Sequence, residues 1–173
     1  KIKGIKLEYL NIGGGLGIIY DDEIPQTARI YADQVIPLLE KTGLKIIMEP
    51  GRFIIGNAGI LVTKVLYIKN TPKKKFIIVD GGMNDLIRPA LYGAFHQIAP
   101  LRKAEGRRLK IERADIVGPI CESADFFAKG RKLPALKEGD YLAVMAAGAY
   151  GFSMSGNYNS RLRLAEVMVV GNK

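Results

Sequence analysis

The sequence lacks several features that define whole classes of protein. Its 173 residues include no tryptophan, one histidine and one cysteine, Cys121. A lone cysteine forms no internal disulfide, which fits a reducing compartment. The longest apolar runs, such as residues 76–79, are far shorter than the ~20 residues that span a bilayer, and no charged-then-apolar leader opens the sequence. We therefore expect a cytoplasmic protein without a membrane anchor.

The sequence also lacks the residue pattern of a metal centre. His96 is the only histidine, and no second histidine or cysteine lies at ligand spacing from it. We expect no metal ion, and a structural or solvated role for His96.

Basic residues outnumber acidic ones, with 26 lysines and arginines against 17 acids and a net charge of +9. Such an excess favours an anionic partner. The basic clusters, however, carry none of the interleaved aromatic residues of a single-strand-binding surface. We interpret them as solvated loop charge. We expect no nucleic acid as a partner, because nothing except the net charge favours a nucleic-acid-binding β-barrel. The clusters are residues 73–75 and Arg107, Arg108 and Lys110.

The first sixty residues have the pattern of a β-α-β unit. A strand over residues 6–11, which we expect to be buried, runs into a glycine cluster, and a second strand expected to be buried covers residues 44–48. Between them apolar residues recur at helical spacing, with Gly43 just past the end of the pattern and Pro37 predicted to kink or shorten the helix. A right-handed crossover of this kind makes the two strands parallel. The apolar helix positions are 28, 31, 32, 35, 36 and 39.

One such unit leaves its sheet without neighbours and one face uncovered, so we expect further chain upstream of it. After residue 60 the pattern becomes β-rich, and several segments alternate apolar and polar residues as antiparallel strands do. The sequence predicts an α/β part over residues 1–59, followed by an antiparallel β-barrel or sandwich over residues 60–173. A short helix is predicted over 85–91. The predicted strands are 61–69, 75–79, 108–117, 141–145 and 162–170.

Two motifs follow the parallel strands. The consecutive glycines Gly13, Gly14 and Gly15 permit positive φ angles and can direct several N–H groups towards one phosphate. A tight turn without a ligand explains the motif equally well. Glu49, Pro50, Gly51 and Arg52 follow the second strand, at the sheet edge where α/β proteins bind ligands. They form either an ion pair or part of a shared site, and a glutamate facing a ring nitrogen near a bound phosphate suits a pyridine cofactor.

Three motifs follow in the β-rich part. Residues 80–84 (DGGMN) come directly after a strand, and beyond them Arg88 and Tyr92 are spaced to share a helical face. Cys121 lies beside acids, including Glu122, and this setting favours a proton donor over a nucleophile. Tyr150 lies in a glycine-rich tetrapeptide, residues 148–151, that exposes its hydroxyl.

In this order the motifs make the whole chain resemble the pyridoxal-phosphate decarboxylases that share the fold of alanine racemase. The resemblance implies an N-terminal β/α (TIM-type) barrel and a C-terminal β domain, with this chain as the C-terminal portion. The lysine that carries the cofactor belongs to an early barrel strand and is not expected here. The members most similar in these motifs decarboxylate meso-diaminopimelate to L-lysine, so the resemblance implies pyridoxal 5'-phosphate as cofactor and diaminopimelate as substrate.

The resemblance also assigns residues. The phosphate would bind the glycine cluster, Glu49 would face the pyridine nitrogen, and Cys121 would return a proton to the α-carbon as the catalytic group. Arg88 would bind the distal carboxylate and Glu122 the distal ammonium. The Cys121 segment would enter a neighbouring subunit's site, which implies a homodimer. The implied cofactor-binding residues are Gly13, Gly14, Gly15, Glu49, Pro50, Gly51, Arg52 and Tyr150. The implied substrate-binding residues are Arg52, Arg88, Tyr92, Glu122 and Tyr150.

Two alternatives stay open at this stage. A decarboxylase of the same fold may act on ornithine, arginine or carboxynorspermidine, but those substrates give the pair Arg88 and Glu122 no second carboxylate to bind. A non-catalytic regulatory homologue would keep the fold without the lysine, yet the expected polar positions downstream are all filled.

Overall fold

The structure, a computed structural model, describes residues 4–101 and 110–171. These residues contain eight strands and three α-helices. None of these helices is long and apolar enough to cross a bilayer. The helices are α1 (Ala28–Glu40), α2 (Gly51–Ile55) and α3 (Arg88–Tyr92), with 3₁₀ turns at Gly56–Ala58, Phe152–Met154 and Tyr158–Ser160. The strands are β1 (Tyr9–Asn11), β2 (Lys45–Ile47), β3 (Leu61–Asn70), β4 (Lys75–Val79), β5 (Ile98–Pro100), β6 (Ile111–Val117), β7 (Phe126–Pro134) and β8 (Tyr141–Val144).

The β-α-β unit forms as predicted. β1 and β2 pair in parallel and α1 connects them. The Thr27 hydroxyl caps α1 by accepting the Ile30 N–H at 3.2 Å, which satisfies one of the free donors of the first turn. Pro37 was predicted to kink or shorten the helix. The prediction of a shortened helix is wrong, because α1 continues through Pro37 to Glu40.

The two parallel strands are shorter and more exposed than predicted. Only three residues of each pair, and α1 contributes no buried residue. Apolar side chains on this unit are open to solvent, and a groove of about 450 Å³ lies between α1 and β2. The expectation of buried strands is wrong for the described residues, because no further strand or helix among them covers these faces. The groove is lined by Ile36, Leu39, Glu40, Leu44, Ile46 and Met48.

The rest of the chain forms a six-stranded sheet in the order β5-β8-β3-β4-β6-β7. The prediction of an antiparallel structure is wrong at one place, since β4 and β6 pair in parallel. The chain between them passes through α3 and β5 and re-enters the sheet in the direction of β4, as a long crossover allows. The sheet therefore is mixed. Its core contains Val65, Ile77, Val79, Leu86, Ile116, Phe127, Leu142 and Val144.

The predicted and the observed strands of the sheet domain differ at three places. β5 and β7 are additional strands: β5 is three residues long and ends at Pro100, and the alternation of β7 is masked by basic residues and Gly130. Residues 162–170 form no strand. Arg161 anchors the start of this segment by donating to the Asp80 carbonyl at 2.6 Å, but no described strand pairs with the residues that follow, and a strand needs a hydrogen-bonded neighbour.

The interpretation of residues 73–75 as solvated loop charge is wrong for two lysines. The Lys74 ammonium lies 2.8 Å from the Asp115 carboxylate, and Lys75 forms an ion pair with Glu112. Lys110 also pairs with Glu112, at 3.1 Å. The first two pairs connect β4 and the turn before it to β6, and all three neutralise part of the positive charge. Arg107 and Arg108 lie outside the described residues.

Candidate active site

The glycine cluster and Glu49 meet at the ends of the two parallel strands. The Asn11 side chain accepts the Gly13 N–H at 2.7 Å and donates to the Glu49 carboxylate. The Glu49 N–H in turn donates to the Gly13 carbonyl at 2.8 Å. Glu49 is therefore connected to the glycine turn both by its backbone N–H and, through Asn11, by its carboxylate. The prediction of a shared site requires such proximity.

The middle of this turn has room only for glycine. A Cβ on Gly14 would lie 2.5 Å from the Glu49 carbonyl oxygen, while Gly13 and Gly15 have φ angles of +69° and +92°. Those φ values are rare for other L-residues, and the close backbone approach excludes a side chain. The result is a stretch of backbone without side chains, beside a carboxylate.

The glycine-turn region, α2 and the loop containing Tyr150 converge around Gly56. A Cβ on Gly56 would lie 2.5 Å from Ile18, 3.5 Å from Arg52 and 3.8 Å from Ala149. The loop containing Tyr150 is fixed there by backbone bonds, because the Gly148 N–H donates to the Gly56 carbonyl at 3.1 Å. The segment that follows the glycine turn, α2 and the loop containing Tyr150 therefore lie together.

Arg88 lies buried among aromatic rings. Its guanidinium carbon is 4.7 Å from the centroid of the Tyr20 ring and 5.8 Å from that of Tyr150, and Nη1 is 3.0 Å from His96 Nε2. The residue is 8% exposed. No carboxylate within residues 4–101 and 110–171 forms an ion pair with it. A buried cation without a counter-charge is costly, so the arrangement is suited to receiving an anion.

Tyr150 adopts a backbone conformation that is rare for its residue type. Its φ angle is +63° and its side chain is exposed. Such a conformation costs of the order of 1–3 kcal/mol and tends to persist at functional sites. It directs the ring towards Arg88, in line with the prediction of an accessible tyrosine in this loop.

Cys121, Glu122 and Tyr92 lie apart from this group. Cys121 and Glu122 are exposed in the loop after β6, and no contact among the described residues joins them to Glu49, Arg52 or Tyr150. Tyr92 is 64% exposed although Arg88, at the other end of α3, is buried. The predicted common face of these two residues therefore does not give them a common environment within this chain.

Asp125 fixes the loop that presents Cys121 and Glu122. Its carboxylate accepts the Ile120 N–H at 2.6 Å and the Met83 N–H at 2.7 Å. Burial raises the pKa of Asp125, and these backbone hydrogen bonds oppose the rise. The Cys121 loop and the loop after β4 are thus joined through one buried side chain.

Sequence reasoning missed the parts of the site played by Asn11 and Tyr20. Asn11 precedes Gly13 by two residues and accepts its N–H, which is the geometry of an Asx turn and is detectable from sequence. Tyr20 reaches Arg88 from a distant part of the sequence, and nothing in its local pattern indicates this. Of the structural and solvated roles expected for His96, the structural one is confirmed, because the side chain is fully buried.

Burial lowers the pKa of His96, and the nearby Arg88 acts in the same direction. The folded protein therefore resists a proton that the unfolded chain accepts near pH 6.5. Stability should fall as pH decreases through and below this value. We expect His96→Gln to reduce the difference in urea midpoint between pH 7.5 and pH 5.5. Asp85 and Asp125, whose pKa values are raised by burial, titrate in both proteins and cancel in this comparison.

Comparison with known proteins connects this arrangement to one family. The family model described as "Pyridoxal-dependent decarboxylase, C-terminal sheet domain" matches residues 18–148. A diaminopimelate decarboxylase of Vibrio cholerae serotype O1 is 53% identical over an alignment of 174 positions, which covers 100% of this chain and 41% of that protein. The chain thus spans about two fifths of the length of this relative.

Solved structures agree with the sequence matches. A crystal structure from Aquifex aeolicus superposes with a TM-score of 0.91 at 53% identity, covering 96% of this chain and 41% of that one. The diaminopimelate decarboxylase of Helicobacter pylori, solved in complex with L-lysine, gives a TM-score of 0.85 at 45% identity, covering 93% and 39%. Both matches extend over the parallel unit as well as the six-stranded sheet.

Proposed function

This chain belongs to the pyridoxal-dependent decarboxylases, and we propose that the protein containing it decarboxylates meso-diaminopimelate to L-lysine in the cytoplasm. The observation that carries the proposal is the identity of about half of all residues, over the whole chain, with relatives named for this reaction. Arg88 supports it, because this side chain is buried beside Tyr150 without an ion pair among the described residues, and this substrate brings a second carboxylate that needs a cation.

The glycine turn and Glu49 fit pyridoxal phosphate. The Glu49 carbonyl leaves no space for a side chain at Gly14, and the N–H groups of Gly14 and Gly15 would bind the phosphate, since that of Gly13 donates to Asn11. Gly51 and Arg52, which open α2 after Pro50, would complete this side of the site, with Tyr150 opposite. Asn11 occupies one oxygen of Glu49, which leaves the other to hold the proton on the pyridine nitrogen. When bound, the protonated ring accepts the electron pair left at the α-carbon as carbon dioxide departs.

The substrate-binding groups follow from its two charged ends. Arg88 would bind the distal carboxylate through its planar fork of N–H donors, with Tyr92 beside the same end. Glu122 would accept the distal ammonium. Arg52 and Tyr150 would contact the reacting end next to the cofactor phosphate.

Cys121 would donate the proton that replaces the lost carboxylate. Its side chain is exposed and its loop is held by Asp125, so the thiol is presented outwards from the sheet domain. A group presented in this way can enter the site of a second subunit. We therefore propose a homodimer with shared active sites.

We propose that residues 1–59 form the end of a β/α barrel and residues 60–173 the β domain. The parallel pairing of β1 and β2 and the exposed apolar surface of α1 support this division. The lysine that carries the cofactor would come from the preceding barrel strands.

The test uses the full-length protein. We expect a visible absorbance band of bound pyridoxal phosphate that borohydride changes, and release of lysine from meso-diaminopimelate. Ornithine, arginine and carboxynorspermidine, assayed at the same concentrations, should give much lower turnover. Faster turnover of any of these three would contradict the substrate assignment, and a protein without the cofactor band would contradict the activity itself.

Gly14→Ala should weaken cofactor binding by about 10- to 100-fold, because the new methyl group collides with the Glu49 carbonyl and displaces the turn. The measurement is titration of the apo full-length protein with pyridoxal phosphate. Gly156→Ala is the matched control, since a Cβ there meets nothing within 4 Å. Equal affinity in both variants would remove the glycine turn from the cofactor site.

A further inference from the structure

Arg88 is oriented by neighbours that have no assigned role. In the described part of the chain its guanidinium has one hydrogen-bond partner, the Nε2 atom of His96 at 3.0 Å. Within residues 4–101 and 110–171 no carboxylate forms an ion pair with it that would fix its direction. The position of its remaining N–H donors therefore depends on His96 and on the rings that enclose it.

The protonation state of His96 follows from its two contacts. Nδ1 lies 2.8 Å from the Met145 carbonyl oxygen, which only accepts hydrogen bonds, so Nδ1 carries the hydrogen. The neutral ring then presents a lone pair at Nε2, and this lone pair accepts an N–H of Arg88. Met145 directly follows β8, so His96 connects Arg88 to the backbone at the end of this strand.

Tyr20 limits the remaining freedom of the pair. Its ring packs under the Arg88 guanidinium and meets the His96 ring edge-to-face, with ring centroids 5.3 Å apart. Its hydroxyl is buried and has no hydrogen-bond partner among the described residues. Tyr20 therefore acts through the faces of its ring, which a phenylalanine would keep.

We propose that His96, supported by the ring of Tyr20, is a positioning residue that directs Arg88 towards the distal carboxylate of the substrate. This inference rests on the proposed function. With Nη1 engaged by His96, the outer N–H donors of Arg88 stay available in one orientation. The buried cation is thereby prepared to receive a carboxylate without reorganising.

The test compares L-lysine with cadaverine as inhibitors of the full-length holoenzyme. These diamines differ only by the carboxylate that Arg88 would bind. His96→Asn keeps the donor to Met145 but loses the acceptor for Arg88, whereas His96→Gln places a carboxamide oxygen near Nε2. We expect His96→Asn to weaken lysine inhibition by about 10- to 100-fold, the loss of one hydrogen bond to a charged group, with little change for cadaverine. KM for diaminopimelate should rise more than kcat falls, and His96→Gln should restore part of the preference for lysine.

A second pair of variants keeps the test decisive if His96→Asn folds poorly. Tyr20→Leu removes the ring face and should reduce the lysine preference, whereas Tyr20→Phe should retain it. An unchanged ratio of lysine to cadaverine inhibition in His96→Asn and Tyr20→Leu would overturn the positioning role alone. A wild-type enzyme that binds cadaverine as tightly as lysine would instead contradict the proposed function, and the inference with it.

Discussion

Arg88→Lys should lower kcat/KM for meso-diaminopimelate by about 100-fold or more, mostly through KM, because it loses two hydrogen bonds of a charged group, each worth about 1.5–3 kcal/mol. Lysine keeps the positive charge but lacks the fork that holds a carboxylate with two bonds. It also loses the bond to His96, which depends on the Nη1 position. Steady-state kinetics of the full-length enzyme measure the effect.

Two comparisons separate this expected loss from general damage. Arg29→Lys changes an arginine whose side chain is 91% exposed on α1, and it should leave kcat/KM unchanged. Pyridoxal-phosphate affinity should also stay the same in Arg88→Lys, because the phosphate is assigned to the glycine turn. A loss of cofactor binding that parallels the loss of activity would show that Arg88 supports the cofactor instead of the distal carboxylate.

Local sequence signals predicted the part of the candidate site that is local in structure. Gly13 and Glu49 follow strands that are joined by one helix, and parallel strands bring their carboxyl ends to one edge. Their contact is therefore a consequence of two apolar segments and a helical period. The alternation of apolar and polar residues likewise predicted the strands that precede residues 80–84 and Cys121.

The cluster around Arg88 was not accessible to such reasoning. Tyr20, Arg88, His96 and Met145 come from four separate segments that meet only in the folded domain. Only hydrophobic packing across the whole domain determines that arrangement. A helical spacing placed Arg88 and Tyr92 together, yet one is buried and the other exposed, because α3 is a single short turn at the edge of the core.

The fold departs from the predictions where pairing partners are distant. β6 joins β4 in parallel only after the chain has crossed the molecule, which no local alternation reports. β7 carries basic residues on its exposed positions and a glycine with a φ angle of +59°, so its apolar positions are few. Residues 162–170 show the opposite case, an apolar pattern that predicts a strand but finds no partner among the described residues.

Among the described residues, no contact joins Cys121 to Glu49, Arg52 or Tyr150, and this bears on the proposed assembly. The loop from Gly118 to Asp125 is closed by backbone hydrogen bonds and by the Asp125 carboxylate, so it does not swing freely towards Glu49 in the same chain. If Cys121 takes part in the reaction, it does so in a site completed by another subunit. That requirement can be tested without knowing the geometry of the dimer.

Cys121→Ala should reduce turnover by about 100-fold or more, the usual contribution of a general acid. Co-expression with a Glu49→Ala subunit should then restore activity, because a mixed dimer contains one site with an intact Glu49 and the partner's intact Cys121. Random pairing makes half of the dimers mixed, each with one working site, so activity should recover to about a quarter of the wild-type value. Each variant assayed alone should stay inactive. No recovery from mixed dimers purified through two different tags would place Cys121 in the site of its own subunit or remove it from the reaction.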